Sequence, residues 1–147
     1  MGSFYQNGIV ANLHDFSYGT SLKGNYTKIE NDLMKFSKDN PMELILPCLF
    51  SEISGKALPK IIDEINKTKF LNHIVIGLDR ANKNQYKESS NFFKNLKTPY
   101  SILWNDGPRL KELDNELKEK GLSPKEFGKG RNVWFCIGMT LARGKAE

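Results

Sequence analysis

Three short apolar runs, each too brief for a buried helix and each followed by a longer stretch with helical spacing, limit this chain more than any other feature. The first is "MELILPCLF", with Leu44-Ile45-Leu46 bounded by Pro47; the second is His73-Ile74-Val75-Ile76-Gly77-Leu78; the third is Tyr100-Ser101-Ile102-Leu103-Trp104. Runs of four to eight residues without polar alternation read as strands buried on both faces, which are typical of parallel sheets.

Between and beyond them lie amphipathic segments. Thr27 and Glu30 fit a capping box, and Ile29, Leu33, Met34 and Phe36 continue at near-helical spacing to Asp39-Asn40-Pro41. Pro59 suits the first turn of a helix with Ile61, Ile62 and Ile65 on one face. Further helices are predicted from Lys83 to Leu96, around Leu110, Leu113 and Leu117 with Gly121 just past the end, and from near Gly130 through Val133, Trp134, Ile137 and Leu141. Ser123-Pro124-Lys125-Glu126 predicts a brief extra turn. Strands alternating with helices imply crossovers, so the expected fold is α/β: Rossmann-like and doubly wound, a mostly parallel sheet of about three strands with helices on both faces. Residues 1–24, with isolated apolar residues among glycines, are expected to form an irregular arm ahead of one domain over 25–147.

With 27% charged and 39% hydrophobic residues, the composition is that of a water-soluble globular domain, and no apolar run reaches the roughly 18 residues of a membrane span. The first residues lack the pattern of a secretory signal, and Cys48 and Cys136 read as buried thiols, so the cytoplasm is the expected compartment. These cysteines with His14 and His73 show no metal-ligand spacing. The net charge of +5 suits an anionic small molecule or RNA, but the lysines are interspersed with acids and no RNA-binding motif occurs, so no nucleic-acid partner is expected.

In open α/β sheets ligands sit beyond the carboxyl ends of the strands, which selects Pro47, Leu49, Ser51 and Glu52, then Asp79 and Arg80, then Asn105, Asp106 and Arg109. An acid such as Asp79 at a strand end can accept from a base N–H or a ribose hydroxyl, or can cap the following helix. Glu52 read alone is a loop acid, and Asn105-Asp106-Gly107-Pro108 is first a turn. Gly128-Lys129-Gly130 before a helix has the makings of an anion cradle: permissive backbone, a helix N-terminus and a full cation. Neither the G-x-x-x-x-G-K-[ST] nor the G-x-G-x-x-G phosphate fingerprint is present.

Taken in order, "FYQNGIVANLH", "PMELILPCLFSEISGKALPKIIDEI", "IVIGLDRA", "LWNDGPRL" and "GKGRNVWF" resemble the glucosyl-3-phosphoglycerate synthases of the bacterial type, which are GT-A glycosyltransferases. The resemblance covers nearly the whole chain. It implies a nucleotide-sugar site that includes Pro47, Leu49, Ser51, Glu52, Asp79, Gly128, Lys129 and Gly130, with Asn105, Asp106 and Arg109 at the same rim and Lys129 near the donor phosphates. It also implies transfer of glucose, with retention, from UDP-glucose or GDP-glucose to 3-phosphoglycerate, in the synthesis of the compatible solute glucosylglycerate. Such enzymes use Mg²⁺ or Mn²⁺ held by a D-x-D motif. No D-x-D occurs in this sequence, so the metal ligands are expected beyond Glu147, no catalytic residue is expected in this chain, and the chain reads as the donor-binding portion of a longer enzyme, inactive alone. An unpaired flank on the first strand would favour homo-oligomers. Competing readings are another GT-A transferase, with a mannosyl donor or glycerate acceptor, and a non-catalytic nucleotide- or RNA-binding module.

Overall fold

A computed structural model describes residues 23–124 and 126–145. Of the expected arm, residues 1–22 lie outside the described residues, whereas Lys23 and Gly24 open the first helix, α1 (Lys23–Asp39). That helix starts four residues before Thr27, so Thr27 is not its N-cap and the predicted capping box does not begin it. Its end is as expected, at Asp39, two residues before Pro41, whose ring cannot continue a helix.

The sheet consists of β1 (Met42–Leu49), β2 (Leu71–Asp79) and β3 (Tyr100–Trp104), in the order β1-β2-β3. Both pairings are parallel: Leu46 opposes Ile76, and Ile76 opposes Ile102. Between β1 and β2 come the short α2 (Phe50–Ile53) and α3 (Ala57–Ile65), and α4 (Lys83–Phe93) joins β2 to β3. After β3 follow α5 (Pro108–Glu119), opened by Pro108, and α6 (Lys129–Arg143).

Alternation along the strands gives the sheet two different faces. One presents Leu44, Leu46, Cys48, Ile74, Ile76, Leu78 and Ile102 to Leu58, Ile62 and Ile65 of α3 and to Phe93 and Leu96 around the end of α4. This is the apolar core, and burying a single Ile or Leu there is worth about 1.5–3 kcal/mol. The opposite face carries Val75 and Gly77 with the polar residues Glu43, His73 and Ser101, and α6 covers it, lying against β1 and β2. The expected α/β arrangement with helices on both faces is therefore present.

Burial on both faces holds only for the middle strand. Ile74, Val75, Ile76 and Leu78 are fully buried, but in β1 only Cys48 is, and β3 is half-buried throughout. Each of these outer strands has a neighbour on one flank alone among the described residues. Pro47, which has no N–H to donate, is tolerated in such an edge strand.

Of the extra turn predicted at 123–126, Lys125 lies outside the described residues, and Ser123, Pro124 and Glu126 are not helical. Instead α5 closes with Leu122 N–H bonded to Leu117 O at 2.8 Å and Gly121 N–H to Lys118 O at 3.0 Å, a Schellman pattern, and Ser123 turns its hydroxyl onto Asp114. No helix of the described residues is long and apolar enough to cross a membrane.

Candidate functional site

At the carboxyl ends of β1 and β2 the chain leaves the sheet twice, and α6 begins directly above. Asn132, one turn into α6, donates from Nδ2 to the carbonyl of Gly77 at 2.8 Å. Position 77 must lack a side chain, because a Cβ there would overlap the Asn132 amide and come within 2.5 Å of Cys136 Sγ. Gly77 thus lets the helix approach the strand, and the buried Asn132 fixes the helix's first turn over the strand ends. A second tether joins α6 to α5: Arg131 meets the buried Asp114 at 2.7 Å, between the rings of Phe127 and Phe135 at 4.5 and 4.9 Å. Burial alone would raise the Asp114 pKa, but hydrogen bonds from Lys118, Ser123 and Arg131 outweigh it and hold the carboxyl at about 2.

Between these anchors lies a cavity of about 180 Å³, walled by Pro47, Cys48 and Leu49 of β1, Glu52 of α2, Asp79 and Arg80 after β2, and Gly128, Lys129 and Asn132. Gly128 has φ 153°, ψ −170°, a backbone region open almost only to glycine, and this turn delivers Lys129 to the cavity. Glu52 accepts the Leu49 N–H through Oε2 at 2.7 Å, capping its own short helix. Asp79 lies across from Leu49 in the β1–β2 register and accepts the Arg80 N–H through Oδ1 at 3.1 Å. It does not cap α4. That role belongs to Asn82, whose Oδ1 takes the N–H groups of Asn84 and Gln85 at 3.0 Å each.

Two carboxylates with oxygens to spare, a lysine at a helix N-terminus and an apolar rim are groups whose chemistry suits accepting N–H or O–H groups and an anion. It has no activated nucleophile. Burial, and then the charge and hydrogen bond of Glu52, push the Cys48 thiol up to about 12, while burial pushes Cys136 to about 11. Nor do the described residues contain a group of three or more metal-ligating side chains.

The structure therefore brings Pro47, Leu49, Glu52, Asp79, Gly128 and Lys129 together in one cavity. The other candidates lie elsewhere. Ser51 is exposed on α2, outside the cavity wall. Asn105 and Asp106 line a separate hollow of about 230 Å³ with Lys111, Asp114, Lys118 and Arg131, Arg109 borders an apolar one beside Tyr86 and Trp104, and Gly130 faces Pro124 and Phe127. Three residues of the cavity wall, Cys48, Arg80 and Asn132, fell outside the group drawn together from the sequence. Arg80 follows Asp79 directly, and Asn132 sits three residues after Lys129, on the same helical face; that i, i+3 spacing was the available signal.

No family model matches the chain, and no solved structure matches it significantly. Two curated proteins do. A glucosyl-3-phosphoglycerate synthase of Persephonella marina is 38% identical over 146 residues, 99% of this chain and 35% of that protein. The synthase of the same name from Methanococcoides burtonii is 35% identical over 144 residues, 97% of this chain and 34% of that protein. This chain is a relative of the glucosyl-3-phosphoglycerate synthases. It spans about a third of the length of these synthases. The similarity runs along the whole of this chain and covers only that share of each synthase.

Proposed function

We propose that this chain is the nucleotide-sugar-binding part of a glycosyltransferase that moves glucose from UDP-glucose or GDP-glucose to 3-phosphoglycerate, with retention at the anomeric carbon. The observation that carries this reading is the convergence of Lys129 with Glu52 and Asp79 in one cavity at the crest of the sheet, in a chain related to the named synthases.

In this reading the free oxygens of Asp79 and Glu52 accept from the base and ribose of the donor, and Pro47 and Leu49 pack against the nucleoside. Lys129 and the N-terminus of α6 hold the diphosphate and stabilise the negative charge that it gains as the glycosidic bond breaks. A divalent cation would supply further neutralisation of that diphosphate. The described residues do not fit it: Glu52 and Asp79 each commit one carboxylate oxygen to a backbone N–H, and no cluster of three candidate ligands is present. The reading accordingly takes the cation's ligands, and the acceptor contacts, from beyond Glu147. In this reading too, the flank of β1 that has no partner among the described residues promotes self-association, which size-exclusion chromatography with light scattering would reveal as a dimer or larger species.

Calorimetry with UDP-glucose and GDP-glucose tests the site. One of them should bind, and Lys129→Ala and Asp79→Ala should each weaken it by about tenfold or more, the loss expected for a hydrogen bond to a charged group. A folded chain that binds neither sugar nucleotide refutes the assignment.

A further inference from the structure

Among the described residues Arg80 is the one non-glycine position with positive φ, 55°. Left-handed backbone is disfavoured for a side chain of this size, and such strain persists only where the surroundings impose it. Here they do. Asp79 Oδ1 accepts the N–H of Arg80, Ala81 donates its N–H to Asp106 Oδ2 at 2.9 Å, and Trp104 Nε1 donates to the Ala81 carbonyl at 2.6 Å. Asn82 then caps α4. The turn between β2 and α4 is thus pinned from both ends and from β3.

None of these anchors uses the guanidinium. Arg80 is exposed, and its side chain forms no hydrogen bond or ion pair among the described residues. A glycine would make the same turn without strain. The advantage of arginine therefore lies in something that its side chain meets beyond the described residues.

Charge identifies that something. The cavity wall carries two acids, Glu52 and Asp79, and two bases, Arg80 and Lys129. Without Arg80 the acids would outnumber the base and oppose any polyanion entering. Arg80 also lines the adjoining hollow with Lys83 and Lys111, so the positive potential extends outward from the mouth. A guanidinium offers a fork of donors matched to phosphate oxygens. We infer that Arg80 is a second cationic contact, beside Lys129, for the phosphate groups of the bound nucleotide. The inference rests on the nucleotide-sugar reading above and adds a residue to it. It also gives Asp106 a positioning role: through Ala81 it holds the strained turn rather than touching the donor.

The test is a ladder of ligands. Uridine, UMP and UDP, and likewise guanosine, GMP and GDP, are titrated by calorimetry into the wild type, Arg80→Gly and Arg80→Ala, and the Tm of each protein is recorded. In the wild type, affinity for the series that binds should rise from nucleoside to diphosphate. In both variants the diphosphate should lose about tenfold or more while the nucleoside stays within about twofold. Arg80→Gly should keep its Tm or gain up to about 3 °C from released strain. Unchanged diphosphate affinity in Arg80→Gly overturns the inference, as does an equal loss for the nucleoside, which would mean a base contact. A Tm fall of more than about 5 °C in Arg80→Gly would mark a structural residue instead. If the wild type binds none of the six, the donor-site reading itself fails, a result distinct from wild-type binding that Arg80 does not affect.

Discussion

Helix α6 meets polar groups of the sheet at both of its ends, and the two ends treat their charges differently. At its carboxyl end Arg143 is used up inside the protein: Nε reaches Glu43 Oε1 and a terminal nitrogen reaches Ser101 Oγ, both at 3.3 Å, while Ser101 also bonds His73 Nε2 at 3.0 Å. At its amino end Lys129 has no such partner among the described residues, Gly128 adopts a backbone reserved for glycine, and Arg80 beside it is strained. Polar groups that find partners within the chain fasten the helix to the sheet. Those held in place with donors to spare are the ones that the proposed ligand would use.

Replacements should separate fastening from binding. The largest effect is expected for Gly77→Ala, whose new methyl group displaces Asn132 from its buried bond: a loss of about 3 kcal/mol in chemical denaturation, with nucleotide-sugar binding falling as the start of α6 shifts. Arg143→Met removes the partner of a Glu43 carboxylate whose side chain is 2% exposed, and should cost about 2–3 kcal/mol while leaving ligand affinity unchanged. It should also raise the His73 pKa, which burial first and the Arg143 charge second now hold below its ordinary value; NMR titration would show the shift.

Asp114 yields a smaller, pH-dependent effect. Its folded pKa of about 2 lies below the ordinary 3.8, so its contribution is fully present above pH 3.8 and is lost as the pH falls from 3.8 to about 2. The amount is on the order of 2 kcal/mol, and denaturant titrations at several acidic pH values should show it missing in Asp114→Asn. Least of all should be the stability change for Lys129→Met, within about 0.5 kcal/mol, although sugar-nucleotide affinity drops at least tenfold. A Lys129→Met protein that unfolds as readily as Arg143→Met would erase the contrast between the two helix ends.

Much of this was legible in the chain because it depends on local pattern. Apolar runs at 44–46, 74–78 and 100–104 and the helical spacings between them are properties of neighbouring residues, and the fold follows from how such segments bury their faces. The Gly128-Lys129-Gly130 stretch that opens the last helix was visible for the same reason, although only Gly128 and Lys129 line the cavity. Local pattern misled where contacts between elements decided: Ser123 turned toward Asp114, and β1, with a partner on one flank alone among the described residues, kept most of its residues half-buried. The motif order that pointed to the glucosyl-3-phosphoglycerate synthases was likewise readable without coordinates.

By itself, the order of residues determined the α/β class, the strand ends that line the cavity and the lysine that opens the last helix, since each needs only periodicity and short-range backbone chemistry. Tertiary structure decided which candidates share a cavity. That Asn132 locks onto Gly77, 55 residues away, and that Arg80 is held in a left-handed turn by groups on β3 are outcomes of packing between elements. No local pattern encodes them, because the partners meet only after the sheet and its helices have assembled.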